Sequence, residues 1–224
     1  MRYNTELQNN NAELQAILDS VNGLPSAGGE SVNWYDYAFS LHNHFKSVEF
    51  AEGTEITLNL PNVGEMNSAF NMAKGVKRVN LILGENDVTM SSCFWMTNDG
   101  GTLEIVDLSK SKCRITKIGG CFRDAKKLKC IYGELDFSYC SDVNAMFLNT
   151  TNIEEIRFKQ ETILVSISFA QSSMLSAESI QSIINGLADL TGGTSQTIAF
   201  HKDVKSKLTE EQISQITSKN WTLA

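Results

Sequence analysis

The stretch ITKIGGCFRDAKKLKCI, Ile115 to Ile131, decides the reading of the fold. Its apolar skeleton is Ile118, Phe122, Leu128 and Ile131. The same spacing recurs at Tyr35, Phe39, Phe45 and Val48, at Met66, Phe70, Val76 and Val79, and at Val143, Phe147, Ile153 and Ile156. A stretched copy runs through Met90, Phe94, Leu103 and Val106, and a decayed one through Val165, Phe169 and Leu175. The anchor rings are therefore Phe39, Phe70, Phe94, Phe122, Phe147 and Phe169. Self-similarity at intervals of roughly 20–50 residues signals units that cannot bury their apolar faces alone and stack on one another. The tail of each unit alternates apolar and polar residues, as in Phe45–Phe50 and Ile153–Phe158. Such alternation predicts a short strand with one buried face. The predicted fold class is an α/β repeat: a right-handed, β-rich solenoid, strands along one wall and a column of Phe rings along the other.

The copy at Ile115, Ile118, Phe122, Leu128 and Ile131 resembles the leucine-rich repeats of BspA-like proteins. Leu135-Asp136-Phe137-Ser138 followed by Val143-Asn144-Ala145-Met146-Phe147 resembles a form found in bacterial surface and phage proteins. Residues 33–175 form the predicted leucine-rich-repeat solenoid. The C-terminal LSAESIQSIINGLADL and LTEEQISQITSKNWTLA, and the N-terminal NTELQ and NAELQAILDSVNGLP, resemble modules of leucine-rich-repeat proteins encoded in phage and prophage tail regions of gut bacteria. The resemblance implies a non-catalytic accessory tail or host-recognition protein; the alternative is a bacterial cell-surface adhesin of the BspA-like type. It places the protein in a virion, or outside a cell at its surface. The implied partners are protein or carbohydrate of a host-cell envelope, or other virion proteins.

The ends carry their own patterns. In residues 1–24, Leu7, Leu14 and Val21 are spaced by heptads, with Ile17 and Leu24 on matching positions and Asn10 on the first of them. This predicts a helix that either joins a parallel coiled coil, making a homo-oligomer through residues 4–24, or caps the first repeat. Residues 25–32, beginning Pro25-Ser26-Ala27-Gly28-Gly29, read as a linker. Residues 176–224 read as a C-terminal capping module. Ser176 is its first N-cap, for a helix running to about Leu190 with Ile180, Ile183, Ile184 and Leu187 on one face, ended by Gly192-Gly193. Gln196–Phe200 reads as a strand, Thr209 and Gln212 as a capping box, and Trp221–Leu223 as a closing strand.

Composition narrows the functional classes. The 224-residue chain has a net charge of −7 and no basic stripe, so a nucleic-acid partner is not expected. The N-terminus has no apolar core of a secretory signal, and no run of apolar residues is long enough for membrane insertion. Cys93, Cys113, Cys121, Cys130 and Cys140 are five in number and contain no Cys-x-x-Cys pair, which suits core filling better than zinc or disulfides. His42 and His44 form a His-x-His pair, in a predicted loop, with no third ligand at a defined spacing. No nucleophile elbow, phosphate loop or His-Glu-x-x-His motif occurs. Catalysis, cofactors and metals are therefore not expected.

What remains is the outward row of each predicted strand: Ser47, Glu49 and Ala51; Arg78, Asn80 and Ile82; Ile105, Asp107 and Ser109; Cys130, Tyr132 and Glu134; Glu155, Arg157 and Lys159. The expected binding face is Arg78, Asn80, Asp107, Tyr132, Glu134, Glu155 and Arg157. Tyr132 and Arg157 are its centre, on the expectation that they stand side by side on adjacent strands, because Tyr and Arg are over-represented at binding hot spots.

Overall fold

A computed structural model describes residues 34–96 and 101–224. The predicted N-terminal helix and linker lie outside the described residues.

Residues 34–47 settle as a helix, α1 (Trp34–Ser47), and not as a turn leading into a strand. Ala38, Leu41 and Phe45 are buried on it at helical spacing, which outweighs the short alternation at Phe45–Phe50. His42 and His44 consequently sit on α1 rather than in a loop, two residues apart, where helical neighbours do not face each other. The first strand, β1 (Glu49–Leu60), takes its apolar face from Ile56, Leu58 and Leu60, a period-2 run that the repeat skeleton passed over. After it come β2 (Lys74–Leu83), β3 (Asp87–Thr89), β4 (Ile105–Asp107), β5 (Arg114–Lys117), β6 (Cys130–Leu135), β7 (Glu155–Phe158) and β8 (Ile167–Phe169). The C-terminal elements are α2 (Ala177–Gly186), β9 (Gln196–Phe200), α3 (Lys202–Lys205), α4 (Glu210–Ser218) and β10 (Trp221–Leu223).

The expected single β-rich solenoid is corrected. The described residues form a mixed α/β fold with four helices and a central parallel sheet in the order β1-β2-β4-β6-β7. The other strands form two separate parallel sheets, β10-β9-β8 and β3-β5. The physical reason lies at the edge of β7. Helix α2 packs beside it, and the hydroxyls of Ser179 and Ser182 accept from the amides of Ile156 and Phe158, both at 3.0 Å. The Ser179 hydroxyl also donates to Glu154 O at 2.9 Å. These side chains occupy positions that a further strand would fill, so the sheet stops. Strand β8 pairs with β9 instead, and this hydrogen bonding crosses residue 175.

The Phe rings stack, with one change of register. The column runs Phe45, Phe70, Phe94, Phe122, Phe147, Phe169 and Phe200, at centroid separations from 4.5 to 6.2 Å. Phe39, the expected first anchor, is 52% exposed, while Phe45 is fully buried. The arcs carrying these rings are bonded to each other by their main chains. The amides of Met90, Ser92, Phe94 and Met96 donate to the carbonyls of Lys117, Gly119, Cys121 and Arg123 at 2.8–3.1 Å. Those of Ile118, Gly120, Phe122 and Asp124 donate in the same way to Asp142, Asn144, Met146 and Leu148. The bend of each arc needs a left-handed residue at its third position: Ser68, Ser92, Gly120 and Ala145 all have φ between 52° and 61°. Cys93, Cys121 and Cys140 are buried among these arcs, Cys113 and Cys130 partly so, and all five are free thiols. Burial pushes the Cys113 and Cys140 thiols up to about 11, and Cys93 and Cys121 higher still, so none is poised as a nucleophile.

The C-terminal segment follows its local signals closely. Ser176 caps α2, and Thr209 and Gln212 make both bonds of a capping box on α4. Helix α2 ends at Gly186, short of Leu190, because Leu187 turns extended and bridges to Ile163. Gly186 also packs tightly, since a Cβ there would lie 2.8 Å from the Phe158 Cβ.

The corrected ring register gives a direct expectation. Phe45→Ala should destabilise the fold by about 3–5 kcal/mol, the range for deleting a buried aromatic ring. Phe39→Ala should cost less than half of that. Chemical denaturation of the two variants measures the difference, and equal losses would restore Phe39 to the column.

Candidate ligand groove on the central sheet

The exposed face of the central sheet is built by two cross-strand rows. Register places Glu55, Arg78, Ile105, Cys130 and Glu155 in one, and Thr57, Asn80, Asp107 and Tyr132 in the next. The intervening residues Ile56, Val79, Val106, Ile131 and Ile156 point into the core. Alternation along each strand therefore fixes which side chains reach solvent.

Between β1, β2 and β4 these rows line an open groove of about 390 Å³, bounded by Glu55, Thr57, Arg78, Asn80, Asp107 and Lys110, among others. Its floor is a connected polar network. Arg78 Nε donates to Asn80 Oδ1 at 2.6 Å, and Arg78 Nη2 donates to Asp107 Oδ2. Asn80 Nδ2 donates to Thr57 Oγ1 at 2.9 Å. Asp107 Oδ1 accepts from the Ser109 amide at 2.9 Å and its hydroxyl at 2.6 Å. The Arg78 guanidinium also lies 5.8 Å from the centre of the Tyr132 ring, within cation–π range. Each side chain is held by a neighbour on its own or the adjacent strand, so the floor is preorganised.

Electrostatics follow from this network. Partial burial alone would raise the Asp107 carboxyl, but the Ser109 hydroxyl and amide and the Arg78 guanidinium outweigh it and hold it below its ordinary value. The Tyr132 phenol is held above its ordinary value, first through its hydrogen bond with the Cys130 side chain. The same Asp-x-Ser corner recurs at Asp136 and Ser138, where Asp136 also receives Lys159 Nζ at 2.9 Å.

Of the expected face, Arg78, Asn80, Asp107 and Tyr132 come together. Glu134, Glu155 and Arg157 are exposed farther along the sheet. The expected pairing of Tyr132 with Arg157 is corrected. Strand β6 bulges between Cys130 and Glu134, so Arg157 stands opposite Glu134 and Tyr132 turns toward Arg78. Gly133 makes the bulge possible: its φ is 100°, and a Cβ there would lie 2.7 Å from the Leu108 carbonyl carbon. The first row also moves. Ser47, Glu49 and Ala51 give way to Glu55 and Thr57, because β1 pairs with β2 at Glu49 and Lys74 but shifts register before Thr54, and only from Glu55 does it run in step with Arg78 and Asn80. The signal for these two residues was the alternation of Ile56, Leu58 and Leu60. Lys110 escaped because it follows the Asp107-Leu108-Ser109 corner, outside any strand. Among the described residues, no group of three or more His, Cys, Asp or Glu side chains is placed to hold a metal, and no helix is long and apolar enough to cross a membrane.

The depressed Asp107 carboxyl has a stability consequence. Its folded value lies below its unfolded one, so its contribution is present above the ordinary Asp range of about 3.9 and is lost as pH falls through the folded value. Asp107→Asn should therefore be less stable than the parent at neutral pH, with the gap closing on acidification; a gap that widens below pH 4 would contradict the assignment, and urea melts across pH measure it. No protein-family profile, curated protein or solved structure matches this chain.

Proposed function

We propose that the protein is a non-catalytic recognition module, and that its ligand sits in the groove over Arg78, Asn80 and Asp107. The observation that carries this reading is the polar network on that floor. It joins three strands and keeps unused hydrogen-bonding capacity facing an open, ligand-sized groove. Such a surface binds without needing to move, which limits the entropy lost on association. The sequence resemblance to phage and prophage tail-region proteins supports placing the ligand on the envelope of a host cell, with the protein as an accessory tail or host-recognition component.

Retention of bacterial envelope material on the immobilised protein tests this. The parent should retain it. Arg78→Ala should reduce retention about tenfold, since a hydrogen bond to a charged group contributes about 1.5–3 kcal/mol. Arg157→Ala, on the exposed strand outside the groove, should bind like the parent. Arg157→Ala should keep the parent's thermal midpoint within about the spread of ordinary surface changes, whereas Arg78→Ala, which loses its bonds to Asn80 and Asp107, should melt somewhat lower, so retention is compared at a temperature where both variants are folded. Equal retention by Arg78→Ala and the parent would remove the groove from the interaction.

A further inference from the structure

We infer that the groove selects an uncharged, hydroxyl-rich saccharide; the inference rests on the groove being the ligand site. Three observations lead to it. The first is charge. The lining holds two cations, Arg78 and Lys110, and two carboxylates, Glu55 and Asp107. The Arg78 charge is already matched by Asp107. Asp107 stays ionised, so a sulfate or phosphate entering beside it meets repulsion, and a cationic ligand meets Arg78.

The second is topology. The groove lies on the face of β2, which is paired on both sides by β1 and β4. Main-chain groups there are committed to the sheet. An extended peptide gains affinity by adding its backbone to a free strand edge, and this site has no free edge at its centre. Over β2 recognition comes from side chains, and the free edge of the sheet lies to one side, on β1.

The third is the pattern of spare donors and acceptors. Arg78 has five N–H groups and spends two on Asn80 and Asp107. The Thr57 hydroxyl accepts from Asn80 and keeps its own proton to donate. Asn80 keeps one amide proton and part of its carbonyl. Donors and acceptors thus alternate over a short distance on rigid strands. A hydroxyl is both donor and acceptor, and neighbouring ring hydroxyls suit this alternation. Tyr132 lies outside the groove's lining but next to it, paired with Asp107 and 5.8 Å from the Arg78 guanidinium, where its ring can extend the contact to the C–H face of a sugar.

The test is a titration of the 224-residue chain, labelled for amide NMR, with four probes. Two are neutral, N-acetylchitotetraose and mannotetraose; one is a sulfated heparin tetrasaccharide; one is a polar Gly-Ser-Thr peptide. A neutral probe should shift the amides of Thr57, Arg78, Asn80, Asp107 and Tyr132 saturably, while the sulfated and peptide probes do not. Tyr132→Ala should weaken that Kd about three- to tenfold, and Tyr132→Phe should retain it, because the ring and not the hydroxyl makes the contact. Shifts at these amides with the sulfated or peptide probe alone would overturn the saccharide inference and leave the groove reading standing. No shift there with any of the four would overturn both.

Discussion

Everything in this fold depends on stacking Phe rings at the spacing of parallel strands. Adjacent strands lie about 4.8 Å apart, and aromatic rings pack best at centroid separations of about 4.5–7 Å. The two distances are compatible, so one residue per unit can build a continuous column while the main chains beside it stay hydrogen bonded. The rings between Phe70 and Phe147 are within 10° of parallel, and the arcs beside them are joined amide to carbonyl. Phe137 and Phe158 pack edge to face, and Phe158 meets Phe169 in the same way, tying the column to the central sheet. Each buried ring contributes about 1.5–3 kcal/mol, and the column runs through a continuous core of buried Leu, Ile, Val and Met side chains that contribute on the same scale.

The column continues to Phe200 although the central sheet ends at β7. Ring stacking and strand pairing are thus separable. The serines of α2 close the sheet's edge, and the rings pass the stacking into the C-terminal segment. Strands β1 and β2 are the long ones, and where they outrun β4 their exposed side chains border an open space rather than a flat continuous face. The polar network on that floor is held by the register that the apolar residues beneath it impose.

The sequence made the ring spacing, the C-terminal caps and the polar row on β2 and β4 readable, because each depends on local spacing. Ser176, Thr209 and Gln212 are examples: a cap is a contact between residues three apart, and nothing distant competes with it. Arg78, Asn80 and Asp107 were readable because strand alternation alone sends them outward. What stayed hidden depended on longer-range competition. Residues 34–47 satisfy a repeat spacing and a helical face at once, and burial of Ala38, Leu41 and Phe45 decides for the helix. The displacement of Tyr132 from Arg157 follows from one bulge at Gly133, whose need for glycine comes from the Leu108 main chain just past the neighbouring strand β4. The end of the central sheet at β7 follows from hydroxyls on α2 reaching that strand, a contact between segments more than twenty residues apart.

Amide hydrogen exchange on the 224-residue chain tests the central claim most directly. If the ring column and the arcs beside it are the cooperative heart of the fold, the amides of Phe94 and Phe122, bonded to Cys121 and Met146, exchange only on global unfolding and are among the slowest in the chain. Exchange at those two amides that is faster than at the strand Gln196–Phe200 would place the stable core in the C-terminal segment and contradict the account.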